Sequence, residues 1–272
     1  MIEKNEHGLP LLYFSSFLKQ REINHFVSTR KGGCSNPPYN SLNLGFHVGD
    51  DPLLVLKNRE RLASAMGISL HNFVLAKQIH DCNVKVVTES LRGSRVDKHA
   101  TSIEATDALV TDIPNICLTV LHADCVPVIL FDFQKRVIGV VHAGWKGTML
   151  QVTRNTVMVF REKFGCAPEK IIAGIGPSIG PCCYKVGPEI IIQAKKVFRD
   201  KKGHIHNETS DGNGYFDLWE ANKMQLLHTG IPEKNIEIAQ MCTYCKHDLF
   251  FSYRYQKGET GRFGTGIMLS DL

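Results

Sequence analysis

The sequence lacks the long apolar segment that a membrane span requires. Its longest apolar runs, such as ICLTVLHADCVPVILF from Ile116, contain His or Asp and never reach roughly 18 uninterrupted apolar residues. The N-terminal segment MIEKNEHGLP is polar and of mixed charge, unlike a secretory signal peptide. These absences predict a cytoplasmic protein with no membrane partner.

A strong excess of charge of one sign is also missing. The 272 residues include 32 basic and 27 acidic side chains, which gives a net charge of +5. That charge is too dilute for a nucleic-acid-binding surface. The densest basic stretch, KKVFRDKKGHIH around Lys195, contains Asp200, and we interpret it as a solvated helix end. We therefore expect no nucleic-acid partner, although the positive balance favours an anionic substrate such as phosphate.

The chain also lacks internal repeats, low-complexity linkers and an even number of cysteines. Nine cysteines in a chain longer than a disulfide-stapled secreted module are interpreted as reduced thiols, available as ligands or nucleophiles. With 43% apolar and 22% charged residues, the composition is that of a globular protein with a sizeable core. We expect one catalytic domain over residues 1–272.

Strand-like and helical patterns alternate irregularly along the chain. Strands are predicted at 24–29, 73–80, 84–87, around Leu109, at 116–122, 126–132 and 136–142, at the start of IIAGIGPSIG from Ile171, and at 236–240. Helices are predicted at 52–66, 148–165, 188–198 and 218–229, and the second has Leu150, Val157 and Phe160 on its apolar side. Because this order is not a strict βαβ alternation, it predicts an α+β fold rather than a doubly wound sheet.

One predicted hairpin places two reactive side chains opposite each other. A turn centred on Phe133 and Gln134 pairs residues whose numbers sum to 267, so Cys125 faces His142. A thiolate and an imidazole placed in this way could share a metal ion or form a thiolate–imidazolium pair. Pro127 fits only an edge strand or a bulge, which leaves room for a one-residue slip.

Two further histidines lie near this pair in the sequence. His80 ends the apolar run FVLAKQIH, and His122 precedes Cys125 by three residues. The residues alone leave each of them as either a structural histidine or a ligand.

Nine short motifs resemble, in their order, those of the YfiH-like family, whose members are often labelled laccase-domain or polyphenol oxidase proteins. The resemblance runs from about Val27 to Ile267, and ADC followed by HAGW is specific. The motifs are LAKQIH, ATDALVT, ADCVPVIL, GVVHAGWKG, GIGPSIGPCCYKVG, FDL, CTYC, FFSYR and GRFGTGI.

The resemblance implies a layered α/β/β/α fold with mixed sheets and a metal site at His80, Cys125 and His142. It further implies Zn²⁺, with copper able to occupy the site in vitro, and purine nucleoside and phosphate as substrates. The implied reactions are phosphorolysis of adenosine, inosine, guanosine and methylthioadenosine, and deamination of adenosine. Bacterial relatives are also associated with correcting peptidoglycan precursors. His122 departs from the family, in which a small hydroxyl residue is usual.

Phosphorolysis requires side chains that hold phosphate, and arginine suits this because its planar fork binds two oxygens. The candidates are Arg30, Arg59, Lys146 and Arg254, of which we also consider Arg254 catalytic. Each could instead form a surface salt bridge.

Two further residues are candidates beside the site. Asn43 could orient ribose or phosphate, or cap a turn. Asp124, next to Cys125, could be a general acid or base, or could orient a ligand histidine.

The remaining motifs are assigned structural roles. Cys182, Cys183, Cys242 and Cys245 could together hold zinc, but adjacent cysteines rarely reach one ion, so we interpret them as buried structural thiols. GIGPSIGP and GRFGTGI are interpreted as turns near ligand. Phe250, Phe251, Tyr253 and Tyr255 are interpreted as the core of a strand.

Three other functions compete with a zinc-dependent purine nucleoside enzyme. A cysteine hydrolase or deamidase would use Cys125 as nucleophile and His142 as base. A multicopper oxidase would need several H-x-H pairs, and the sequence has only His204-Ile-His206, so we exclude a four-copper enzyme. A non-catalytic binding module is the third. The sequence leaves the oligomeric state open.

Overall fold

The computed structural model describes residues 1–97, 102–199 and 203–271. The α-helices are α1 (Pro52–Ala65), α2 (Trp145–Met149), α3 (Val152–Phe164), α4 (Pro188–Phe198) and α5 (Leu218–His228). The strands are β1 (Ile2–Glu6), β2 (Leu9–Tyr13), β3 (Ile23–Ser28), β4 (Phe73–Val74), β5 (Val84–Val86), β6 (Ala108–Thr111), β7 (Cys117–His122), β8 (Val126–Asp132), β9 (Val137–Ala143), β10 (Ile171–Ile175), β11 (Lys185–Val186), β12 (Ile205–His206), β13 (Gly214–Phe216), β14 (Ile236–Ile238) and β15 (Phe263–Leu269).

Two mixed six-stranded sheets form the centre of the molecule. The first sheet has the order β1-β2-β3-β15-β7-β4, and the second has the order β14-β10-β8-β9-β6-β5. A small three-stranded sheet, β11-β13-β12, accompanies them. The chain passes from the first sheet to the second between β7 and β8, at residues 123–125.

Apolar side chains on alternate positions of β8 build two different layers of the core. Ile129 and Phe131 point to the first sheet, where they pack with β7 and β15. Val128 and Leu130 point the other way and pack with α3 and α5. On the outer face of the first sheet, Leu62 of α1 packs on strand residues. The layers are therefore α/β/β/α, as predicted.

Helix boundaries follow local capping chemistry. The side chain of Asp51 accepts from the backbone N–H of Leu53, and Pro52 occupies the first turn of α1. Asp217 caps α5 in the same way. Because only glycine adopts positive φ without strain, Gly165 at φ +65° ends α3.

The predicted register of the β8–β9 hairpin is wrong: each β8 residue pairs with a β9 residue two positions later than predicted. Asp132 pairs with Val137 and Pro127 pairs with His142, so paired numbers sum to 269. The turn has four residues because Asp132 Oδ1 accepts from the backbone N–H groups of Gln134 and Lys135. Since an even shift preserves the faces of the strand, Cys125 remains a diagonal neighbour of His142.

Two predicted elements also differ. The helix predicted over 148–165 is broken between α2 and α3, where Gln151 has φ +61°, and Leu150 is 49% exposed rather than buried. GRFGTGI, predicted to be a turn, contains most of β15, the strand between β3 and β7. A Cβ on Gly266 would lie 2.5 Å from the ring of Phe26, so this glycine permits a close approach within a strand.

Within the described residues, none of the helices is both long enough and apolar enough to cross a membrane. The predicted basic helix end corresponds to the end of α4, where Lys195 and Lys196 are exposed. Residues 200–202 of that stretch lie outside the described residues.

Candidate active site

Three side chains from separate parts of the fold converge where the chain crosses between the two sheets. His80 lies in the segment after β4, Cys125 ends the crossing segment, and His142 lies near the end of β9. One ring nitrogen of each histidine and the Cys125 Sγ lie within 4.8 Å of one another. Donor atoms around one tetrahedral zinc are about 3.4–3.8 Å apart, so small rotations would bring these three onto one ion.

A buried carboxylate that the sequence analysis did not assign orients the site. Asp107, 1% exposed, accepts from His142 Nδ1 at 2.9 Å, which turns Nε2 of that ring away from the carboxylate. Asp107 also accepts from the backbone N–H groups of Ile79, His80 and Asp81 at 2.9–3.1 Å. One carboxylate thus positions both histidines.

The segment before His80 is held by the side chain of Gln78, which forms two hydrogen bonds with the backbone of one residue of β7. Gln78 donates from Nε2 to the carbonyl of Leu121 and accepts at Oε1 from the Leu121 N–H. His80 then adopts φ +63°, a left-handed conformation that bends the chain toward Cys125.

Electrostatics favour the charged form of the Cys125–His142 pair. Burial opposes ionisation of Cys125, but the charge of His142 and hydrogen bonds from His142 and His80 lower the pKa of the thiol to about 6. Burial likewise opposes protonation of His142, whereas Cys125 and Asp107 raise its pKa above the ordinary value. A thiolate beside oriented imidazoles is a donor set that suits Zn²⁺.

Gly144 leaves the space in which these side chains meet. A Cβ at this position would lie 2.9 Å from Cys125 Sγ and 3.1 Å from His80 Cδ2. The glycine in the HAGW motif is therefore required by the packing of the site.

The three residues line a cleft of about 700 Å³, within the range of small-molecule sites. Its described lining combines aromatic and basic side chains, with Asp124 as the only acidic residue. The other lining residues are Phe46, His47, Arg59, Leu75, Ala76, Lys77, Gln78, Arg95, Leu121, His122, Ala123, Trp145, Ile179, Tyr184, Tyr253, Arg254 and Arg262. The basic side chains of this cleft favour an anion, and its aromatic side chains favour a flat ring.

Asp124 holds the wall of the cleft together. Its carboxylate accepts from Thr243 Oγ1 at 2.6 Å and from the Arg254 N–H at 2.7 Å. Burial raises the pKa of Asp124, although these hydrogen bonds oppose the shift. The carboxylate that orients a histidine is therefore Asp107 and not Asp124.

Two of the predicted phosphate-binding arginines line the cleft. Arg254 donates from Nη1 to the Lys185 carbonyl and lies over the ring of Tyr184. Arg59 is 6% exposed and donates to the carbonyls of Leu44, Arg95 and Val96. Most of the hydrogen-bonding capacity of Arg59 is thus used inside the protein.

Three other predicted substrate-binding residues lie outside this lining. Arg30 donates to the carbonyls of Asn40 and His247, Asn43 accepts from the Arg262 N–H, and Lys146 is exposed beside Trp145. Asn43 is fully buried, and its Oδ1 accepts from the backbone N–H groups of Arg262 and Gly45, so it supports the cleft wall from behind.

Arg262 and Tyr253 are cleft residues that the sequence analysis missed. Arg262 lies over the ring of Tyr253, which is 54% exposed. The predicted strand core is wrong for this segment, since none of residues 250–255 lies in a strand and residues 253–258 form a turn, although Phe250 and Phe251 are buried. No sequence pattern marked Arg262, because its motif was interpreted as a turn.

His122 faces the cleft as a neutral side chain. Its Nε2 contacts Thr265 Oγ1 at 2.8 Å, and its buried Nδ1 has no partner among the described residues. Burial lowers its pKa well below the ordinary value.

The four cysteines interpreted as buried thiols are arranged differently. Cys182 and Cys245 are exposed, Cys183 is half-buried and only Cys242 is buried. Their sulfur atoms nevertheless lie within 4.8 Å of one another.

Comparison with known proteins agrees with the motifs. Residues 24–270 match the family described as multi-copper polyphenol oxidoreductase laccase. The chain is 38% identical over 236 residues to purine nucleoside phosphorylase YlmD of Geobacillus stearothermophilus, covering 87% of this chain and 86% of that protein. It is 36% identical over 245 residues to adenosine deaminase RL5 from an unknown prokaryotic organism, covering 90% and 93%.

The crystal structure of the hypothetical protein YfiH of Bacillus licheniformis has the same fold. The TM-score is 0.91 at 36% identity, with 96% of each chain covered. The predicted resemblance to YfiH-like proteins and the α+β fold are confirmed.

Proposed function

This chain is an enzyme of the family described as multi-copper polyphenol oxidoreductase laccase, and we propose that it is a zinc-dependent purine nucleoside phosphorylase that also deaminates adenosine. The observation that carries the proposal is the convergence of His80, Cys125 and His142 in a cleft with basic and aromatic walls. The expected substrates are adenosine, inosine, guanosine and methylthioadenosine, with phosphate.

The metal would be held by two imidazoles and one thiolate. Three protein ligands leave one position open, which is the pattern of catalytic rather than structural zinc sites. When bound there, Zn²⁺ would supply Lewis acidity to the reacting group. Asp107 keeps His142 in the tautomer that a ligand needs.

The basic residues supply the remaining requirements of phosphorolysis. A phosphate oxygen attacks C1′ of the ribose, the bond from C1′ to the purine nitrogen breaks, and the departing purine takes up a proton. Arg254 and Arg262 offer positive charge for phosphate, and Tyr184 and Tyr253 offer ring faces for the base. In deamination, water adds to C6 of adenine and ammonia leaves.

The proposal is tested by incubating the purified protein with adenosine, with and without phosphate, and separating the products by liquid chromatography. Adenine that forms only with phosphate supports phosphorolysis, and inosine supports deamination. Cys125→Ala should abolish both products and the binding of metal at His80, Cys125 and His142 while the chain stays folded. Full activity in that variant, with this site empty of metal, would refute the zinc role.

A cysteine hydrolase or deamidase that acts on peptidoglycan precursors is the second candidate, and one observation favours it. Asp107, His142 and Cys125 form a continuous acid–imidazole–thiol chain, the arrangement that activates a nucleophilic cysteine. Removal of the metal with a chelator separates the two candidates. A zinc enzyme loses activity on this treatment. A cysteine hydrolase keeps or gains activity, because its thiolate is no longer bound to metal.

A further inference from the structure

We propose that Cys182, Cys183, Cys242 and Cys245 form a second, structural zinc site. The four sulfur atoms lie within 4.8 Å of one another and form a cluster that shares no residue with His80, Cys125 and His142. Four protein ligands close the coordination sphere, which is the pattern of structural zinc sites.

The sulfur separations match one tetrahedral ion. Cys245 Sγ lies 3.7 Å from Cys182 Sγ and 3.4 Å from Cys183 Sγ. With a Zn–S distance of about 2.3 Å, sulfur atoms around tetrahedral zinc are about 3.8 Å apart. An iron–sulfur cluster of several irons would hold its thiolates farther apart, so a single ion fits the spacing better.

A tight turn allows adjacent cysteines to point to the same place. The N–H groups of Cys183 and Tyr184 both donate to the Gly180 carbonyl, so residues 180–184 form a tight turn. The Gly180 N–H donates to Cys242 Sγ at 3.2 Å, a contact that stabilises a thiolate. Adjacent cysteines rarely reach one ion, but the backbone of this turn brings the sulfur atoms of Cys182 and Cys183 to the same cluster.

The same ion would tie together two loops that support the cleft. The first loop follows β10 and carries Ile179, whose N–H donates to the Asp124 carbonyl. The second follows β14 and carries Thr243, whose hydroxyl donates to the Asp124 carboxylate. Ser178 and Cys242 already form a β-bridge between the loops. Zinc at the four cysteines would add coordinate bonds between the two loops to these hydrogen bonds.

The test measures metal content in protein purified anaerobically with a reductant. Cys182→Ser/Cys245→Ser removes two exposed ligands, so we expect it to fold and to lose about one equivalent of zinc relative to the wild type. Cys34→Ser, which changes a half-buried cysteine outside both clusters, is the matched control and should lose none.

Cobalt substitution identifies the ligands independently of activity. In a Cys125→Ser background, Co²⁺ should give the intense sulfur-to-metal charge transfer and visible bands of a tetrahedral tetrathiolate site. The added Cys182→Ser/Cys245→Ser change should remove them. If the Cys125→Ser protein retains no zinc and shows no such spectrum, the second site does not exist. This outcome is separate from the purine nucleoside proposal, which depends on Cys125.

Discussion

Asp107 is the residue on which the geometry of the candidate active site depends most. It is buried, and it accepts hydrogen bonds from one ligand candidate and from the backbone around another. A carboxylate with several donors orients the imidazole and increases its basicity. The sequence contained a signal for it, a single acidic residue in ATDALVT directly before a buried strand.

Asp107→Asn keeps the shape of this side chain but removes its charge. We expect metal affinity to fall about 10–100-fold, because the His142 ring loses its charged partner. Competition titration with a chromogenic chelator measures the loss. Asp132→Asn, which changes an equally buried carboxylate at the far end of β8, is the control and should bind metal as the wild type does. Equal affinity in the two variants would contradict the role of Asp107.

The lowered pKa of Cys125 predicts a pH dependence in the metal-free protein. Since the pKa is lowered to about 6, the thiolate is populated above that pH and is lost as the pH falls through it. Alkylation by iodoacetamide, followed at the Cys125 peptide by mass spectrometry, should therefore rise with a midpoint near pH 6. His142→Ala should move the midpoint toward the ordinary thiol value. A midpoint that stays in place in this variant would show that His142 does not stabilise the thiolate.

Among the elements, the long strands and helices could be predicted from the sequence, whereas β15 and the β8–β9 register could not. Runs such as VPVILF, the first six residues of β8, are apolar at every position because both faces of the strand are buried. β15 was missed since Gly264 and Gly266 resemble a turn, and the close approach of Leu44 to the first and of Phe26 to the second explains them. The register of the β8–β9 hairpin depends on Asp132, whose side chain accepts two backbone hydrogen bonds and stabilises a four-residue turn.

Gly144, between β9 and α2, offers a test at this scale. Gly144→Ala should push Cys125 and His80 apart, because the new Cβ would approach both within about 3 Å. We expect loss of the metal held by His80, Cys125 and His142, with little change in far-UV circular dichroism. Gly67→Ala, where no atom lies within 4 Å, costs about 1 kcal/mol from its positive φ but should retain the metal. Retention of metal at His80, Cys125 and His142 in Gly144→Ala would show that the site tolerates this atom.

At the scale of the whole molecule, the candidate metal site joins the two sheets. His80 follows a strand of the first sheet, His142 belongs to the second, and Cys125 ends the segment that crosses between them. The resemblance to the YfiH-like family identified both histidines and the cysteine. Arg262 could not be identified in this way, because it joins the lining of the same cleft only through the packing of the sheets. That residues 1–272 form one catalytic domain stays a prediction.

Because the ion would bridge the layers, zinc should stabilise the folded chain as a whole. In a Cys182→Ser/Cys245→Ser background, which leaves only the site at His80, free zinc at about 100 times Kd should add about 2.7 kcal/mol to the free energy of unfolding. Phe131→Ala, in the apolar layer between the sheets, should cost about 3–5 kcal/mol yet leave the zinc increment unchanged, since distant effects add. His80→Ala should abolish the increment. Denaturant titration at fixed free zinc measures all three, and an increment that survives in His80→Ala would place the stabilising ion elsewhere in the chain.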